Sequence, residues 1–186
     1  MSSILVQPNA AGTGVFTITS PSSSSNYTLT LPARTTTISA DGPAFSAYLS
    51  TTQSITSNQL TKAAIDTEIF DTNSCYDTTN YRFTPTVAGY YQVNATVRMS
   101  ATASTITQAV MQVYKNGSSY AVLAVDNVAS TVFTSTLNRS GGVLISMNGT
   151  TDYIELWVSI TGTSPQLLGG TSTNTTLFSA SLVRGA

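Results

Sequence analysis

Three carboxylates are the first residues of this sequence that could do chemistry. Asp66 and Glu68 stand two positions apart, with Asp71 close behind. In an extended segment, residues two apart share a face. Carboxylates gathered this way are oxygen donors for calcium, which takes six to eight of them. The plainer reading of the same residues is a solvated outer face. A glycosidase would need two carboxyls fixed at a set separation across a groove, and nothing in the pattern fixes a second one. The chain also has no histidine, so the commonest general base and metal ligand are missing. Its one cysteine, Cys75, cannot form an internal disulfide or a four-thiolate metal site. With no basic residue beside it in the sequence, Cys75 reads as an inert thiol. The expectation is a protein that is not an enzyme and carries no cofactor.

The aromatic residues offer a second kind of chemistry. Trp157, Tyr90, Tyr114, Tyr120 and Tyr153 have ring faces on which sugars can stack. The same side chains are the ordinary filling of sandwich cores and subunit contacts, and packing is the favoured reading. Six Asn-x-Ser/Thr sequons occur, as chance allows in a chain so rich in Ser and Thr, and glycosylation is not expected.

Composition narrows the field further. The 186 residues are 41% apolar but only 8% charged, against about 25% charged in typical domains. This describes a folded chain with a polar, uncharged surface. The net charge of -1 leaves no basic patch for a phosphate backbone, so nucleic acid is not an expected partner. No run of about 20 apolar residues occurs, so no membrane insertion is expected. Met1 to Ala11 has neither a basic start nor an apolar segment, unlike a secretory signal. Synthesis in a cytoplasm and display as part of an assembly is the expected route.

The elements that would position these residues are strands. From Gly89 to Met99, Tyr91, Val93, Ala95, Val97 and Met99 point one way and Tyr90, Gln92, Asn94, Thr96 and Arg98 the other. Strict alternation with one apolar face marks a half-buried strand. Ala109–Tyr114 runs into Asn116-Gly117, a strong hairpin signal, with Ser119–Val125 returning. Gly142–Met147 leads to a second Asn-Gly, Asn148-Gly149, with Asp152–Ile160 as its return and Leu177–Val183 as a last strand. Gln59–Phe70 fits a helix or a strand; as a strand it points Ala63, Ile65, Thr67 and Ile69 inward. Strands at this spacing suggest a sandwich or jelly roll.

Residues 1–42 differ from the rest. Val15–Thr19 and Tyr27–Leu31 read as two short strands around a turn of Pro21 and serines. Two strands cannot cover their own apolar face, and so short a segment rarely folds alone. Without metal or disulfide, oligomerisation is the remaining route, and three copies around an axis would supply the core. The expected layout is an N-terminal trimerising or attachment segment, 1–42, and a jelly-roll head, 43–186, in a homotrimer.

From Pro43 to the end, the sequence resembles the globular head of complement component one-q, in the tumour-necrosis-factor-like superfamily. The resemblance is densest in Phe70-Asp71-Thr72-Asn73, Tyr76-Asp77, Tyr81-Arg82-Phe83-Thr84-Pro85 and Ala88-Gly89-Tyr90-Tyr91, where Phe83, Gly89 and Tyr91 keep the family spacing. It implies an all-β antiparallel jelly-roll sandwich, a trimer, and a strand over Lys62–Phe70. Gly14–Thr19 and Thr28–Ala33 resemble a short repeat of phage tail-fibre proteins. Together these imply a bacteriophage virion structural protein: a trimeric tail-fibre or spike tip for host attachment. Its expected partners are itself, other virion proteins through the first segment, and a host surface glycan or protein. Contact would come through Ser100–Thr107, Asn127–Leu137 and Thr161–Thr176. The alternative is a capsid decoration or cement protein stabilising the shell, which the small size favours. A secreted ligand of the tumour-necrosis-factor type is a third class, disfavoured by the phage-like first segment.

Overall fold

Alternation decides the architecture. In the computed structural model of the protein, Tyr91, Val93, Ala95, Val97 and Met99 are each at most 3% exposed, while Tyr90 on the opposite face is 44% exposed. The structure describes residues 42–128, 135–171 and 175–186, with isolated positions before residue 42. The chain divides after Thr36 into two units, 1–36 and 37–186. The two strands expected at Val15–Thr19 and Tyr27–Leu31 lie outside the described residues, as does nearly all of the segment 1–42.

The described strands run in the order β1 (Ala44–Tyr48), β2 (Gln53–Ser54), β3 (Thr61–Lys62), β4 (Thr67–Asp71), β5 (Tyr76–Asp77), β6 (Arg82–Phe83) and β7 (Gly89–Ser100). They continue as β8 (Gln108–Lys115), β9 (Ser118–Asn127), β10 (Thr136–Met147), β11 (Ile154–Thr161), β12 (Gln166–Leu167) and β13 (Leu177–Gly185). One antiparallel sheet runs β10, β7, β13, β1, β4, with β12 bridging β7 and β2. The other runs β5, β6, β11, β8, β9, with β3 beside β11. The two faces enclose one core, and the fold is an all-β jelly-roll sandwich.

The core is organised around rings from the segments that carry the sequence resemblance. Phe45 stacks on Tyr76 at 4.5 Å and on Phe83 at 4.6 Å, and meets Phe178 edge-on at 5.3 Å. Phe83 meets Tyr91 edge-on at 5.6 Å. Buried phenols need a polar partner. Tyr76 donates to the Ile65 carbonyl at 2.9 Å and Tyr91 to the Val87 carbonyl at 2.7 Å. Burial raises both phenol pKa values, that of Tyr91 to about 12.

Two local expectations are corrected. The first Asn-Gly does close a hairpin: Asn116 and Gly117 have φ of 51° and 77°, as a type I′ turn requires, and β8 pairs with β9. The second does not. β10 pairs with β7 in one sheet, while β11 pairs with β8 in the other. The Asn148 side-chain oxygen accepts from the backbone nitrogens of Thr150, Thr151 and Asp152 at 2.9–3.0 Å. This wider Asx-type loop carries the chain between sheets. The expected strand over Lys62–Phe70 is likewise broken in two. β3 pairs with β11 and β4 with β1, so the chain changes sheets across Ala63–Asp66. Ala63 and Ile65 are buried as expected, but Ile69 is 50% exposed, because the ladder slips by a residue between β1 and β4.

Candidate self-association surface

The three weak calcium candidates, Asp66, Glu68 and Asp71, do not converge. Asp66 accepts from the Ser50 backbone nitrogen at 2.8 Å, the Ser50 hydroxyl at 2.6 Å and the Thr67 hydroxyl at 3.2 Å. Burial alone would raise its pKa, but these hydrogen bonds outweigh burial and hold it below the ordinary value. Asp71 accepts from the Tyr76 nitrogen at 2.7 Å and the Asn73 nitrogen at 3.3 Å. Both acids thus fasten loops, and Glu68 faces solvent. Among the described residues no three His, Cys, Asp or Glu side chains gather as metal ligands. Cys75 is buried and free, 3.7 Å from the Thr86 hydroxyl.

The aromatic residues divide into two groups. Tyr114 and Trp157 stack at 4.7 Å on the outer face of the second sheet. The Trp157 indole donates to Glu155 at 3.0 Å, and Lys62 holds the other Glu155 oxygen at 3.0 Å. Arg82 sits 5.0 Å over the Tyr153 ring. Trp157, Glu155 and Lys62 thus satisfy one another, which is packing, whereas the Arg82 Nε–H is buried without an acceptor. Tyr90 and Tyr120, by contrast, are 44% and 47% exposed.

The loops expected to touch a partner are partly described. Thr102 and Thr163 are tied by a 2.9 Å backbone bond, and the Thr105 hydroxyl accepts from the Thr163 nitrogen at 3.0 Å, so Ser100–Thr107 and the start of Thr161–Thr176 brace each other. Most of Asn127–Leu137, and Ser172–Asn174, lie outside the described residues.

Tyr90, Tyr120, Val122, Val125 and Leu144, on β7, β9 and β10, form one group of exposed apolar residues, while Ile69 and Phe70 lie on the edge strand β4 and Val183 on β13. β9 reads Tyr120-Ala121-Val122-Leu123-Ala124-Val125, apolar at every position. A strand with no polar face is the pattern of one covered on both sides. Within the chain only one side is covered: Leu123 and Ala124 pack on the core, whereas Val122 and Val125 are 55% and 54% exposed. The next edge, β10, adds Leu144, 50% exposed. The two edges adjoin without sharing a ladder among the described residues. Side chains join them instead: Arg139 forms two 2.6 Å bonds to Asp126, and the Tyr120 hydroxyl reaches the Leu144 carbonyl at 3.4 Å.

From β10 the surface continues over the outer face of the first sheet. The register places Ser140, Gly142, Leu144 and Ser146 beside Thr96, Asn94, Gln92 and Tyr90. Ser179 and Ser181 follow on β13 and Ser46 on β1. These are small or uncharged side chains, and within the rows on β10, β7, β13 and β1 the cations are Arg98 and, at the far end of β13, Arg184. A flat, weakly polar face beside an apolar edge is a surface that another protein can cover at little desolvation cost. Sequence reading passed over Leu144, Val122 and Val125, though the unbroken apolar run in β9 was the signal.

The sequence matches no family profile and no curated protein. Solved structures are similar in fold. The globular domain of zebrafish complement 1qA protein is 15% identical, with a TM-score of 0.53 over 77% of this chain and 99% of that one. Murine APRIL, in structures at pH 5.0 and pH 8.5, is 10% identical, with a TM-score of 0.53 over 77% of this chain and 100% of that one. These likenesses agree with the resemblance carried by Phe83, Gly89 and Tyr91, and give the head a C1q/TNF-type jelly-roll fold.

Proposed function

We propose that this chain is a non-catalytic structural module that assembles as a homotrimer and is displayed on a bacteriophage particle as a host-attachment appendage. The observation that carries self-assembly is the surface just described: β9 has no polar face, yet one of its sides stays open. Homotrimers are common among C1q and TNF-like folds, which supports three as the number. A non-enzymatic role accords with those neighbours and with carboxylates occupied in fastening loops. Light scattering on the purified chain should give three times the 19.5 kDa chain mass. A folded monomer at micromolar concentration would refute the assembly.

The phage role rests on the fibre-type pattern at Gly14–Thr19 and Thr28–Ala33 joined to this jelly roll. In this reading the first segment attaches the trimer to other virion proteins. The head presents Ser- and Thr-rich loops to a host glycan or protein, and weak contacts multiply through threefold avidity. Antibody labelling of negatively stained particles tests it. Label on the tail supports the appendage; label over the shell replaces it with a decoration protein; absence from particles refutes both.

A further inference from the structure

The sequence contains two Asn-Gly pairs, Asn116-Gly117 and Asn148-Gly149. Such pairs are open to a change that needs no enzyme, because a glycine nitrogen is unhindered by any side chain. The glycine nitrogen gives its proton to a solvent base and attacks the asparagine side-chain carbon Cγ. The Cγ–Nδ2 bond breaks, ammonia leaves with a proton from water, and a succinimide ring closes. Water then opens the ring to aspartate or isoaspartate. The attack needs its two atoms brought close and aligned, so whatever holds the side-chain amide sets the rate.

The two pairs are held differently. Asn148 belongs to a clamped loop: its Oδ1 accepts from three backbone nitrogens. Gly149 is packed so closely that an added Cβ would lie 2.3 Å from the Ala88 nitrogen. Asn116 and Gly117 are both exposed at the tip of the β8–β9 hairpin, and their restraint comes from the loop between β10 and β11. The Asn116 Nδ2 donates to the Asp152 Oδ1 at 2.8 Å, and the Tyr153 backbone nitrogen donates to the Asn116 Oδ1 at 2.9 Å. Asp152 is fixed in turn through its second oxygen, by Lys115 at 2.8 Å and the Asn148 backbone nitrogen at 3.0 Å. Bringing the amide carbon onto the Gly117 nitrogen gives up both bonds to Asn116, one of them to a charged acceptor.

We infer that Asn116 is a latent site of spontaneous deamidation, and that the Asp152 side chain keeps it unreactive. The product is costly at this place. It replaces a donor to Asp152 with a second carboxylate, and like charges at that range repel. Isoaspartate also adds a carbon to the main chain of a two-residue turn whose φ values, 51° and 77°, match the strand twist. The strand that leaves this turn is β9, which bears the exposed Val122 and Val125.

The test is peptide mapping by mass spectrometry after incubation in mildly alkaline buffer, following the gain in mass as amide becomes acid. In the folded wild type, Asn116 should convert at least about tenfold more slowly than in the urea-denatured chain. Asp152→Ala should speed conversion in the folded protein about tenfold, as loss of one charge-assisted hydrogen bond implies, and more at Asn116 than at Asn148. Ile160→Val trims the core at the far end of β11 and should leave the Asn116 rate unchanged, which separates local protection from general stability. If Asp152→Ala does not fold, Asp152→Asn takes its place, with a rise of smaller size. Conversion of Asn116 as fast in the folded wild type as in urea would overturn the inference. So would a folded Asp152 variant as slow as the wild type, or an equal rise in Ile160→Val.

Discussion

Leu144→Asp separates assembly from folding. Leu144 lies on β10 with half its surface in water, opposite Gln92 and outside the core. Substitutions at such positions usually change stability by no more than about 0.5 kcal/mol. The melting temperature of the isolated subunit should therefore barely move. Covering the exposed half of a leucine is worth about 1 kcal/mol, half of the usual 1.5–3 kcal/mol for a full side chain. An aspartate there loses this and must also be shielded in a region that offers it no cation across the neighbouring strand. An uncompensated buried charge costs about 3–5 kcal/mol. The sum is about 4–6 kcal/mol per contact, or about a thousandfold or more in each association step. A trimer stable at micromolar concentration should then run as a folded monomer in light scattering, with unchanged far-ultraviolet circular dichroism. If Leu144→Asp stays trimeric at the same dilution as the wild type, the β10 edge is not part of the contact and the reasoning fails.

Three further outcomes concern the head itself. Phe45→Ala removes the ring at the centre of the aromatic cluster and should destabilise by about 3–5 kcal/mol, read from chemical denaturation. Gly149→Ala should destabilise the loop between β10 and β11, because a Cβ there would lie 2.3 Å from the Ala88 nitrogen at a φ of +72°; an unchanged melting temperature would contradict this. Acid should weaken the fold through Asp152, whose pKa the hydrogen bonds from Lys115 and Asn116 lower. A carboxyl with a depressed folded-state pKa contributes stability that is present above its unfolded value, about 3.9, and is lost as pH falls through the folded value. Melting temperatures should be flat near neutrality and fall below about pH 4. Asp152→Asn should lower the plateau and soften the acid slope, though not abolish it, since Asp66 and Asp77 shift the same way.

Much of the head was legible because alternation is a local signal. The inward residues of β7, the faces of β11 and β13 and the Asn116-Gly117 hairpin could be read directly. What could not be read was which sheet each strand joins. Asn148-Gly149 has the same dipeptide as the true hairpin, but the capping by Asn148 and the pairing of β10 with β7 are tertiary facts. The break between β3 and β4 is hidden for the same reason: Ala63 and Ile65 keep their inward period up to the point where the chain changes sheets. The partners of the carboxylates could not be read, because spacing does not show that Ser50 and the Tyr76 nitrogen arrive from elsewhere. The open side of β9 was legible only in part. Its apolar run announced cover on both sides but not whether this chain or another provides it.

The lone tryptophan has a practical consequence. Trp157 leans on Tyr114 and donates to Glu155, and one strand, β8, separates its own strand β11 from the open edge at β9. Its fluorescence should respond when the sandwich unfolds yet stay silent when copies merely come apart. One emission trace recorded beside a hydrodynamic one would thus resolve dissociation from denaturation without any attached dye.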